Sequence, residues 1–264
     1  MAKENQELAE LDDFGTELQL PPELAAELEA AGAVLSGSCV LSTTKIGYKK
    51  GGGKWRLPDE QETERFTGVI VAAKHANIHY PGAYVAGAAT GADCVAVRFG
   101  QADVSFDKLA PIPDVSAPYC VSCAGCEKLK WGSAANGGNG KACAETMVMA
   151  VYVPQLGDDL FIVEARRKWA NNAEKYLNMT STKYRAPIAV LTEFKLGSEN
   201  SVWEQTYRTV QINKPELMAN LLARREEANS LIDAHVRNTL EAAAAGDALP
   251  GTPVVAEGRE ARER

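Results

Sequence analysis

At 264 residues, 45% hydrophobic and 24% charged, the chain has the composition of an ordinary globular protein, long enough for one decorated domain or two small ones. Its longest apolar runs, such as GVIVAA at 68–73, fall far short of the roughly 20 residues a membrane helix needs, so no membrane partner is expected. The net charge of -7 argues against a polyanion ligand only until it is mapped: residues 1–32 carry nine acids and one base, whereas 33–213 carry 17 acids against 20 bases.

In chain order, residues 1–32 read as an acidic leader, with ELAAELEA helical behind Pro21-Pro22. The start, MAKENQELAELDDFG, lacks the basic-then-apolar pattern of a secretory signal, so a cytoplasmic location is expected. From 33 to 213 the pattern is β-rich: RFTGVIVAAKHANIHY, DCVAVRF, TMVMAVYVPQ, DDLFIVEAR, APIAVLTEFKL and SVWEQTYRTVQI are short runs separated by Gly, Pro, Asp or Asn. ARRKWANNAEKYLNM at 165–179 interrupts them as a helix, with Trp169, Ala173 and Tyr176 on one face. A second helix is expected over 214–245, its stripe made by Leu217, Leu221, Ala228, Leu231 and Ile232, as a packing or self-association element. Residues 246–264 read as a disordered tail. Strands, then a helix, then two more strands is the order of a five-stranded OB-like barrel, here mainly β with α and carrying a long insertion at about 94–143. A β-sandwich is the alternative.

The insertion holds YCVSCAGCEKLKWGSAANGGNGKAC at 119–143, with four of the chain's six cysteines. In a reducing compartment, clustered cysteines bind metal more often than they pair, and the sequon at Asn178-Met179-Thr180 is then a chance match. Cys123-x2-Cys126 with a returning Cys143 has zinc-knuckle spacing, and zinc prefers a fourth ligand. Cys94, arriving from a separate strand, suits a tetrahedral ion better than Cys120, which stands as the alternative. Cys120, Cys123, Cys126 and Cys143 together would instead suit an iron–sulfur cluster. GGNGKAC is not a phosphate-binding P-loop, because Ala135 stands where a glycine is needed and Ala142 follows Lys141. His75 and His79 share a face but have no carboxylate near them in sequence, so a metal pair there is not expected. No catalytic triad, HExxH or paired catalytic carboxylate can be assembled, and no enzymatic activity is expected.

CAGCEKLKWGSAANGGNGKAC resembles the CxxC…WGS…GKxC signature of a phage family of zinc-containing, OB-type single-stranded DNA-binding proteins. The likeness extends over roughly residues 65–235 and is specific around 123–143. It implies a structural zinc, a preceding cysteine ligand that Cys94 matches, a role in DNA replication or recombination, and residence in the host cytoplasm. The chain departs from the pattern at Cys120, and Val95-Ala96-Val97-Arg98 stands where the family has Ser-x-Asp-Gly.

Single-strand binding needs cations that track phosphates and flat rings on which bases stack. TTKIGYKKGGGKWRLP at 43–58 supplies Lys45, Lys49, Lys50, Lys54 and Arg56 with Tyr48 and Trp55, and no acid. Lys128, Lys130, Trp131 and Lys141 repeat the chemistry on the finger. In SVWEQTYRTVQI the strand period places Trp203, Gln205, Tyr207, Thr209 and Gln211 on a candidate stacking face, with Val202, Val210 and Ile212 toward the interior. The alternatives to a nucleic-acid role are the iron–sulfur protein and a structural or assembly protein whose basic loop is only surface.

Overall fold

The computed structural model describes residues 45–48, 53–81, 92–98, 103–112, 119–134, 138–199 and 202–244. The expected leader at 1–32, the tail at 246–264, and Lys49 and Lys50 lie outside them. The described chain is mainly β with helices: β1 Lys45–Tyr48, β2 Trp55–Arg56, β3 Glu62–Thr63, β4 Arg65–His79, β5 Cys94–Ala96, β6 Ala144–Tyr152, β7 Leu160–Arg166, β8 Val190–Glu199 and β9 Val202–Ile212. The helices are α1 Lys168–Tyr184, α2 Pro215–Ala223 and α3 Arg225–Ala244. Among the described residues no helix is long and apolar enough to cross a membrane.

The strands form one curled, mixed sheet in the order β3-β2-β1-β7-β6-β4-β8-β9, with β5 also on β4. Among the described strands only the β1–β7 pairing is parallel. β4 does the curling. Its first residues, Arg65 to Gly68, pair with β8, and Val69 to Ile78 pair with β6 across a register shift between Ile70 and Ala72. An extra residue on one strand bends it and lets it serve two sheets. Gly68 sits at that switch, where a Cβ would come within 2.6 Å of the Val151 side chain and 2.9 Å of the Tyr152 carbonyl oxygen. The absence of a side chain lets β4 and β6 approach there.

Each face of the central strands is buried by a different partner, which is why TMVMAVY reads as a continuous apolar run rather than an alternation. On one face Phe66, Met147, Met149, Val163 and Phe194 pack with Ala170, Ala173 and Tyr176 of α1. On the other, Val69, Ile78, Val148 and Ile162 pack with Leu221, Ala228, Ile232 and Val236 of α2 and α3. The helix expected over 165–179 begins later, because Ala165 and Arg166 stay in the ladder opposite Met147 and Thr146. The single helix expected over 214–245 is broken at Arg224, whose side chain bonds the Asp158 carbonyl and Glu227.

Polar groups also pin α3. Glu164 is buried and receives Lys45 Nζ at 2.9 Å, Arg166 Nη2 at 2.8 Å and His235 Nε2 at 2.8 Å, while Lys74 donates to Asp233 at 2.5 Å. Burial alone would raise the Glu164 pKa, but Arg166, His235 and Lys45 outweigh it and hold the carboxyl well below the usual range.

Candidate functional site

The insertion between β4 and β6 returns to the end of β4, and its cysteines return with it. Cys94 lies opposite His79 on one flank of β4. On the other flank Ala144 lies opposite Ile78, which leaves Cys143 just beyond the end of β6. The CxxC turn is closed by Gly125, at φ 78°, and by the Cys126 N–H donating to the Cys123 carbonyl at 3.2 Å. The Cys143 N–H donates to the Lys128 carbonyl at 2.9 Å, which ties the returning strand to the knuckle.

The thiols feel one another. Burial raises the Cys143 pKa strongly, and Cys123, Cys94, Cys126 and Cys120 raise it further. Cys120 is pushed up to about 12, by burial and by a hydrogen bond with Cys126. Burial also raises Cys94 and Cys123, each opposed by one donor: the Tyr119 backbone N–H for Cys94 and the Asn77 side chain for Cys123. Such N–H donors favour thiolate. Both candidates for the fourth ligand, Cys94 and Cys120, therefore stand in the same cluster as Cys123, Cys126 and Cys143. As the side chains stand, no group of three or more His, Cys, Asp or Glu among the described residues is gathered tightly enough to hold an ion.

The histidines are differently employed. His75 Nδ1 lies 2.6 Å from Asp103 and His79 Nδ1 lies 2.6 Å from Asp93, which also accepts the Tyr119 hydroxyl at 2.6 Å. The fold thus supplies the carboxylates absent from the local sequence, and pairs each histidine with its own.

Of the expected stacking rings, Trp131 fits best. It is 77% exposed, and Lys141 Nζ lies 5.5 Å from its ring while also bonding Glu145 at 2.7 Å. Lys128 lies over Tyr119, and Lys130 pairs with Glu127. Tyr48 is 41% exposed and meets Trp169 edge-on at 5.1 Å. Lys54 is exposed, Arg56 pairs with Glu60 at 3.0 Å, and Lys45 is committed to Glu164.

Two expectations are corrected. Trp55 has no exposed surface, because the short β1–β2 hairpin turns its ring onto Phe66 at 5.2 Å, so it offers no face to a base. The faces of β9 are also inverted relative to expectation. Gln205 is buried and Tyr207 stacks on Tyr176 of α1 and meets Phe194 edge-on, whereas Val210 and Ile212 are the exposed residues. The docking of α1 decides this. Trp203 pairs with Ser198 beside the β8–β9 turn, and its side chain is outside the described set.

Comparison with known proteins finds no match among family models, curated proteins or solved structures. The geometry is therefore the basis for function. It adds residues that sequence reading assigned only to a helix: Arg167, Lys168 and Trp169 stand at the β7–α1 junction beside the finger. Lys168 reaches Glu204 at the start of β9, and the Arg167 N–H donates to the Glu145 carbonyl at 2.6 Å. The junction is thereby tied to β6 and to β9.

Proposed function

We propose that the protein binds single-stranded DNA without sequence preference, through an OB-type barrel whose finger is held by zinc, and that it serves phage DNA replication or recombination. The observation that carries the reading is Trp131: a large ring left 77% exposed under a lysine, in a segment whose only buried described residues between 119 and 143 are cysteines. An indole and a cation presented together to solvent suit an unpaired base and its phosphate.

The topology supports it. Taken from β4, the strands β4, β6, β7, β8 and β9 lie in the spatial order third, second, first, fourth, fifth, with α1 between the third and fourth. That is the order of an OB barrel, in which the loops after the first and fourth strands contact oligonucleotides. Here those loops are the cysteine finger and the β8–β9 turn. The outer surface of β6 and β7 is covered by α2 and α3, which leaves binding to the loop end.

The thiols suit zinc by donor chemistry. They are soft and buried, each is harder to ionise beside the others, and two receive N–H donors that would orient thiolates. Cys123, Cys126 and Cys143 would hold the ion with Cys94, and Cys120 is the alternative fourth ligand. Bound zinc would supply folding energy to the finger rather than chemistry.

Titration of a fluorescent oligothymidylate and of a duplex at several salt concentrations tests the reading. Single-strand affinity should exceed duplex affinity and fall linearly on a log–log plot against salt, by about 0.7 per phosphate contact. Equal affinity for duplex contradicts it.

A further inference from the structure

Arg167 is not glycine, yet its backbone stands at φ 57° and ψ -121°. This is a region that a residue with a Cβ occupies at a cost and only when its surroundings hold it there. The surroundings are visible. Its N–H donates to the Glu145 carbonyl at 2.6 Å, and its carbonyl accepts from the Ala170 N–H at 3.0 Å. Held this way, the side chain is directed at the finger: a methyl group built on Gly140 would meet Arg167 Nη1 at 3.5 Å.

Its electrostatic position is also distinct. Lys45, Lys130, Lys141, Arg166 and Lys168 are each matched to a carboxylate. Arg167 is exposed and has no ion pair among the described residues. Next to Gly140 in the chain, Lys141 lies against the Trp131 ring, and Trp169, two residues after Arg167, meets Tyr48. An uncompensated guanidinium thus stands at the β7–α1 junction, close to Gly140 of the finger and two residues before Trp169. A glycine would adopt this backbone without strain, so folding alone gives no reason for an arginine here.

We propose that Arg167 is a phosphate-binding residue of the single-strand site, gripping the backbone of a strand between a base on Trp131 and the Tyr48–Trp169 pair. The inference rests on the nucleic-acid reading above and extends it to a residue and a path. Guanidinium offers two parallel donors to phosphate oxygens, which an ammonium cannot reproduce.

The test uses the full chain with Arg167→Gly and Arg167→Lys, measuring oligothymidylate affinity against salt and the thermal midpoint of each protein. Arg167→Gly should melt higher by at least about 2–4 °C, since strain is relieved. The same variant should bind roughly tenfold more weakly, with a salt slope smaller by about 0.7. Arg167→Lys should keep the slope, lose part of the affinity and gain no stability. Unchanged affinity and slope in Arg167→Gly, with wild-type protein binding normally, overturns this inference and leaves the function standing. Weaker binding with a lower melting midpoint assigns the residue a structural role and overturns it too. If the wild-type chain ignores the oligonucleotide, the nucleic-acid reading fails and the inference with it.

Discussion

The sheet and the finger are stabilised by different means. In β4, β6 and β7 almost every side chain is buried, on one face against α1 and on the other against α2 and α3. Between residues 119 and 143 the described chain buries only Cys123, Cys126 and Cys143, while Val121 is 95% exposed and Trp131 77%. A segment this short, with no apolar core of its own, needs a staple to hold a defined shape. The contrast teaches where to look for function. The sheet supplies rigidity, and the finger presents groups that a packed core would have covered.

The comparison breaks most readily in the sheet. Met149 is fully buried between β4 and β7, and Met149→Ala should cost about 2–5 kcal/mol by chemical denaturation. A loss well below that would mean the two-sided core is less tightly packed than its burial implies. Glu164→Gln should follow, at about 1.5–3 kcal/mol near neutral pH, because it removes hydrogen bonds between a buried carboxylate and three cationic or basic partners. The sign of its pH dependence is set by the lowered carboxyl pKa. That contribution is present above the unfolded value of about 4.3 and is lost as pH falls through the folded value. Wild-type stability should therefore drop more steeply in acid than that of Glu164→Gln, as followed by denaturation at a series of pH values.

The finger should answer in the opposite way. Trp131→Ala should leave the sheet's unfolding transition within about 0.5 kcal/mol of wild type, as exposed substitutions do. It should still cost about 1–3 kcal/mol of single-strand affinity, the worth of one stacked base, measured by oligonucleotide titration. A large stability loss with unchanged binding would make the ring part of the fold and place the interface elsewhere.

The features legible in the sequence are those that local spacing or period encodes. The apolar runs mark β4, β6 and β7, and the helix between β7 and β8 shows through Trp169, Ala173 and Tyr176. The CxxC turn with Cys143 returning is likewise a matter of spacing. What misled is tertiary. Trp55 lies among lysines and reads as surface, but pairing Tyr48 with Trp55 turns that ring onto Phe66. On β9 the polar residues flanking Tyr207 suggest an open face, and only the docking of α1, with Tyr176 stacked on Tyr207, makes it an inner one. The carboxylate partners of His75 and His79 come from Asp103 and Asp93, 28 and 14 residues further along the chain, a separation that no periodicity reports. Arg167 was invisible for another reason: a backbone torsion leaves no signature in a single sequence.

The central claim is that a metal-held finger, mounted on a sheet that folds without its help, carries the single-strand site. The most direct test measures oligothymidylate affinity before chelation, after chelation with metal loss verified by elemental analysis, and after zinc is restored. The account predicts about one zinc per chain, at least a tenfold loss of affinity on its removal, recovery on its return, and a far-ultraviolet spectrum of the sheet that changes little throughout. Full affinity in protein shown to be free of metal would contradict it.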